Sequence, residues 1–148
     1  MHEVASQIRP AAVERPLRGV ISSVRIRAQI DLMDEDGTII DVRTTQAAAA
    51  RVDPMQRFEW TTCSRLAEGS SGVIRSDILV TGSTAQLITQ TWAVSAADVH
   101  WTDALYLLAQ EAMRRGYYMP NRNSIHCSQH HCPCWRRCEQ HFGGVVEP

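Results

Sequence analysis

Residues 26–45 constrain the fold more than any other stretch, because they place two carboxylates opposite one another on what reads as a β-hairpin. Residues 25–33 and 38–43 are the strands, and Asp34-Glu35-Asp36-Gly37 is the turn, with Gly37 supplying the positive φ that a short loop needs. Asp34 then pairs with Thr38. Counting back along both strands sets Asp31 opposite Asp41 on one face, with Cβ atoms roughly 5 Å apart. Like charges so placed destabilise a sheet, and solvent, a shared proton or a bound divalent cation would offset the repulsion. Ile26, Ala28, Ile30, Leu32, Ile40 and Val42 fall on the other face, which the alternation assigns to the core. Arg43, two residues beyond Asp41, shares its face and pairs across the ladder with Gln29. A solvated, charged outer face is the plain alternative for this pattern, and a one-residue slip would separate the two acids.

The remaining chain supplies elements for an α/β core. Residues 1–16 hold two prolines and no clear period, and read as an extended lead-in; residues 17–24 begin the first strand. After the hairpin, the alanine-rich residues 46–52 read as a loop or a short helical turn. Asp53-Pro54-Met55-Gln56 is a helix start, with Asp as N-cap, Pro at N1 and Gln at N3 reaching back. That helix runs to Leu66 or Ala67, and Gly69 closes it. Capping alone accounts for Gln56, and Trp60 one turn on reads as core. Residues 73–80 and 86–94 are two strands joined at 81–84. Ser95 caps a second helix with Asp98 at N3, continuing through Arg115 and stopping at Gly116. Its apolar positions Val99, Leu105, Leu108, Ala109, Ala112 and Met113 are expected to dock on the sheet, and His100 to lie on the helix surface.

A chain of 148 residues with 44% hydrophobic content suits one compact domain. No run of eighteen apolar residues and no signal-peptide pattern occurs, so the expectation is a soluble cytoplasmic protein without a membrane partner. A formal net charge of -1 gives no global attraction to nucleic acid. Any such affinity has to come from local clustering of arginines, with Arg25, Arg27, Arg43, Arg114, Arg115, Arg122, Arg136 and Arg137 as candidates.

The last thirty residues have their own chemistry. After a loop at 117–124 come Cys127, Cys132, Cys134 and Cys138, beside His126, His130, His131 and His141. Soft ligands at this density, with no secretory signal, favour a metal over disulfides. Zn²⁺ through Cys127, Cys132, Cys138 and His141 is one ligand set; the four thiolates around an iron–sulfur cluster are another; a reduced, metal-free tail is the third. In each the role is structural, fastening the tail, with Trp135 and Phe142 as a small apolar anchor.

The pattern GVISSVRIRAQIDLMDEDGTIIDVRTT resembles the core of the RecB-like PD-(D/E)XK nucleases, in which an Asp ends one strand and a hairpin leads to an acid, one residue and a Lys, usually followed by Thr. Gln56 and Trp60 fall where that group has Q-x-x-x-Y, and CPCWRRCEQHFGG is similar to the Cys-rich ending of its phage and CRISPR-associated members. The resemblance covers about residues 13–144. It implies a single restriction-endonuclease-like α/β domain: a central mixed sheet flanked by helices over 17–116, and a metal-stapled tail over 117–148. It further implies a metal-dependent nuclease acting on DNA, single-stranded or at ends. Asp31 and Asp41 would hold Mg²⁺ or Mn²⁺ with the Val42 carbonyl, and Gln56 would be a positioning group. In the tail the family places a [4Fe-4S] cluster on three C-terminal cysteines and one upstream, and Cys132 with Cys138 matches its Cys-x5-Cys piece. The upstream cysteine is missing; Cys63, read as a buried apolar side chain, is the candidate outside the cluster.

Two departures matter. Arg43 stands where the family has Lys, and the chain contains no Lys at all; an arginine can stabilise phosphate charge but cannot act as a base. Relatives also carry a helical segment ahead of the first strand, whose His or Glu completes the site. Here Glu14 is the candidate extra acidic ligand, and a protein partner is a further way to complete the site. The alternative function is therefore a catalytically weak or inactive nuclease-derived module holding DNA or a protein partner; a small metal-stapled interaction protein is a third.

Overall fold

The computed structural model describes residues 8–46, 53–81, 85–117 and 127–142, without the side chains of residues 141 and 142. The sheet begins with a hairpin that turns on two serines. Strands β1 (Pro10–Ile21) and β2 (Val24–Asp34) form an antiparallel hairpin whose two turn residues, Ser22 and Ser23, have φ of 47° and 70°. A turn with both central residues left-handed matches the twist of its strands, but its usual residues are Asn and Gly. The sequence therefore hides it. The strand starts at Pro10, not at 17, and residues 10–16 belong to the sheet instead of a lead-in. Two prolines are tolerated because β1 is an edge strand.

Strand β3 (Ile39–Thr45) follows in the expected register: the Asp34 amide donates to the Thr38 carbonyl at 2.9 Å, and Leu32 and Met33 pair with Ile40 and Ile39. Gly37 is buried with φ at 81°, and a Cβ there would meet the Gly69 carbonyl oxygen, so the turn has two reasons to be glycine. Helix α1 (Pro54–Leu66) then crosses to β4 (Val73–Thr81), which runs parallel to β3, and β5 (Ala85–Ala93) returns antiparallel. The strand order is β1-β2-β3-β4-β5. This is a mixed five-stranded sheet in an α/β arrangement.

Helix α1 lies on β1, β2 and β4 and buries Trp60 among Leu17, Ile30, Met33, Ile39, Ala67 and Ile74. Ile30 and Met33 are three residues apart, so the strict alternation expected along β2 slips between them. Val42, assigned to the core by that alternation, is 51% exposed. Helix α2 (Ala96–Arg114) begins as expected, with Ser95 and Asp98 exchanging hydrogen bonds. Its docking differs. Leu108 and Met113 are exposed, while Asp98, Trp101, Asp103 and Tyr106 meet α1 through Arg57, Phe58, Arg65 and Thr62. The aromatic and polar stripe wins because ring contacts, ion pairs and the Thr62–Tyr106 hydrogen bond are all available on α1. Met1–Gln110 and Glu111–Pro148 are two compact units, and the division falls inside α2.

Candidate functional site

Asp31 sits where β2 loses its pairing on both sides. The β1–β2 ladder runs through Val13–Leu32 and Arg15–Ile30 but omits the Glu14–Asp31 rung between them, and Glu14 takes a left-handed φ of 47°. Such a backbone is uncommon for a residue other than glycine and marks a local distortion. On the other side, pairing with β3 ends at Leu32–Ile40. Alternate pairs of an antiparallel ladder exchange main-chain hydrogen bonds, so after Asp34–Thr38 and Leu32–Ile40 the next exchange would join Ile30 and Val42. It does not form. The Val42 amide donates instead to Asp31 Oδ2 at 3.0 Å. An extended residue turns its N–H and C=O to the same edge, so the Val42 carbonyl faces the same opening as the Asp31 carboxylate.

Asp41 is held on the other bank of that opening. Its Oδ2 accepts from Arg43 Nε at 2.5 Å, and Ser76 on the parallel β4 donates to the same oxygen at 3.5 Å. Arg43 also approaches Glu59 of α1, with Nη2 3.7 Å from the carboxylate, and its guanidinium carbon lies 5.8 Å from the centre of the Trp60 ring. The repulsion anticipated between the acids is thus met by a cation from their own hairpin. The expected cross-strand partnership of Arg43 with Gln29 is absent; the Gln29 amide donates to the Glu14 carboxylate, because the ladder has already parted.

Cys63 reports how closely the acids gather. Its thiol is pushed up to about 11, first by burial and then by the negative charges of Glu59, Asp41 and Asp31. Glu59 and Ser76 are the members of this group that the sequence did not expose. Glu59 had a signal, lying one residue before Trp60 on the helix that carries Gln56. Ser76 had none, since a parallel rung joins strands far apart in the chain.

Gln56 completes the capping box, its Oε1 accepting from the Asp53 amide at 2.9 Å while Asp53 Oδ1 accepts from Met55. Trp60 is core, 5% exposed, and its indole nitrogen has no hydrogen-bond partner among the described residues. Asp31, Asp41 and the Val42 carbonyl are hard oxygen donors facing one opening, which suits a cation of the Mg²⁺ or Mn²⁺ type. Glu14, the candidate extra ligand, accepts from the Gln29 amide. In the tail, the Cys132 amide closes a turn on the Ser128 carbonyl, Ser128 Oγ contacts His131 Nδ1 at 2.8 Å, and Cys134 leads into helix α3 (Trp135–Phe142). Among the described residues no three His, Cys, Asp or Glu side chains gather as a metal site. Cys127, Cys132, Cys134 and Cys138 are free thiols. His126 and the side chains of His141 and Phe142 lie outside the described residues.

No family model matches the chain, and no curated protein matches it by sequence. Among solved structures it is similar to a "putative exonuclease" from Eubacterium rectale, with a TM-score of 0.51 and 11% identity over 99% of this chain and 57% of that one. The chain therefore spans little more than half of that protein. At such identity the likeness shows a shared fold and nothing finer. A second structure, SSO0001, aligns with a TM-score of 0.46 and 8% identity over 68% of this chain and 50% of its own, too low to add to the argument. No described helix is long and apolar enough to cross a membrane.

Proposed function

We propose that this chain is a nuclease domain whose Asp31, Asp41 and Arg43 act on the phosphodiester bonds of DNA, single-stranded or at an end. One observation carries the reading: the β2–β3 ladder parts where the Asp31 carboxylate takes the Val42 amide, leaving two acids and a main-chain carbonyl at one opening beside an arginine. A sheet built for stability alone would complete that rung. Asp31, Asp41 and the Val42 carbonyl would hold Mg²⁺ or Mn²⁺, which supplies an activated water and neutralises phosphate charge. Arg43 remains protonated at any working pH and presents a planar fork that fits phosphate oxygens. Its role is to bind and orient the phosphate, not to take a proton. Trp60 below and Glu59 beside it keep the guanidinium at the opening when a phosphate competes for it with Asp41.

A second reading has an observation of its own. Arg43 is closed on Asp41 at 2.5 Å and uses the oxygen that a metal would need, which favours a nuclease-derived module that binds DNA or a protein partner without cutting. Cleavage of labelled single- and double-stranded DNA with Mn²⁺, by the wild type beside Asp41→Ala and Arg43→Lys, separates the two. Cutting by the wild type that is abolished in Asp41→Ala is the expected result. A silent wild type with activity gained in Arg43→Lys means a decayed site on an intact scaffold, and silence in all three leaves the binding module.

A further inference from the structure

The β1–β2 hairpin carries positive charge that no described carboxylate pairs with. Leu17 and Ala28, paired with one another, pack in the core, and a Cβ on Gly19, paired with Ile26, would meet Leu66 of α1. The intervening rungs, Pro16–Gln29, Arg18–Arg27 and Val20–Arg25, therefore face away from α1. All six of their residues are exposed. Arg18 and Arg27 are directly opposed, a placement that costs a sheet stability. Among the described residues none of Arg18, Arg25 and Arg27 is ion-paired, whereas Arg43, Arg57, Arg65, Arg75 and Arg115 each rest on a carboxylate. The whole chain has a net charge of -1, so this is a local concentration and not a basic protein.

We propose that this three-arginine face is a docking surface for the phosphate backbone of DNA. Neighbouring guanidinium stems stand roughly 7 Å apart along β2 and 5 Å across the hairpin, a flat array suited to an extended polyanion rather than to one carboxylate. Guanidinium forks bind phosphate bidentately, and exposed Val20 adds no competing charge. The choice of DNA rests on the reading of Asp31 and Asp41 as a phosphodiester site, which β2 carries further along the strand and which, through Arg43, Glu59 and Trp60, lies on the α1 face, opposite the arginines. Contacts of this kind give affinity without base sequence preference.

The test is binding of labelled single- and double-stranded DNA by the full chain in EDTA across a salt series. The wild type is compared with Arg18→Gln/Arg25→Gln/Arg27→Gln and with the matching triple Lys variant, each checked for folding by thermal unfolding. Expected are affinity lost by about tenfold or more in the Gln variant and a log–log salt slope reduced by about 2, with the Lys variant retaining most binding. Equal binding by wild type and Gln variant, or no DNA binding by the wild type, overturns the proposal; displacement of DNA by polyglutamate at matched charge overturns it in favour of an acidic protein. Cleavage is scored separately. A wild type that binds through these arginines but never cuts refutes the nuclease reading and leaves the surface standing, while cutting lost in Asp41→Ala with binding indifferent to the arginines does the reverse.

Discussion

Asp31 and Asp41 are separated by nine residues and set by the register of a hairpin, whereas Cys127, Cys132, Cys134 and Cys138 fall within twelve residues and are set by local turns and a short helix. The acids are placed by a hairpin whose turn, glycine and first rungs hold them whether or not a ligand is present. The cysteines sit on turns and a short helix whose backbone hydrogen bonds are local, so nothing but a ligand would draw them together. Where a cation is needed, the hairpin also brings one, Arg43.

The sharpest break of this comparison is catalytic. Asp31→Asn and Asp41→Ala are expected to reduce Mn²⁺-dependent cleavage by more than the roughly 100-fold that an indirect metal partner costs, while Cys132→Ser/Cys138→Ser changes it less than about twofold; an equal loss in the tail variant would erase the distinction between the regions.

Stability sharpens it next. Trp60→Ala, which empties the core beneath Arg43, is expected to cost about 3–5 kcal/mol in denaturant unfolding. Elemental analysis of the purified chain beside the Cys132→Ser/Cys138→Ser variant then reads the tail: zinc at about one equivalent, or iron at about four as a [4Fe-4S] cluster requires, lost in the variant, would show that a metal gathers these thiols.

Thiol chemistry gives a smaller, graded readout. With its thiol raised from 9.0 to about 11, Cys63 is expected to alkylate about 100-fold more slowly near pH 8 than an ordinary cysteine, while exposed Cys134 reacts first. Glu59→Gln is expected to speed Cys63 by removing the negative charge with the largest effect of the three. No change on mass-spectrometric mapping would mean that the acids are not gathered there.

The smallest effect concerns α1 and α2. The Arg65 guanidinium hydrogen-bonds Asp103, with help from Ser22, and holds that carboxyl below 3.8. A carboxylate lowered in the folded state contributes stability that is present above pH 3.8 and lost as pH falls through the folded value. Asp103→Asn is expected to lose about 1 kcal/mol or less near neutrality and to flatten the acid limb of the stability curve; an unchanged acid limb would show the pair to be idle.

The sequence by itself determined what short-range chemistry decides. The Gly37 turn and the Asp34–Thr38 pairing, the capping box of Asp53 with Gln56, the Ser95 cap and the limits of β4 and β5 were all legible, because each depends on residues close in the chain. The Leu32–Ile40 pairing beside Asp31 and Asp41 followed from the same turn. Tertiary structure decided which partner each group takes where several compete. It gave Arg43 to Asp41 and Glu59, Gln29 to Glu14, and the Val42 amide to a carboxylate instead of the next rung. It set Ser76 beside Asp41 through a parallel rung and turned α2 onto α1 by its aromatic stripe. The Ser22-Ser23 turn shows the reason at its plainest. Serine has no strong preference for a left-handed backbone, so the pairing of the strands on either side, not the residues of the turn, fixed its conformation.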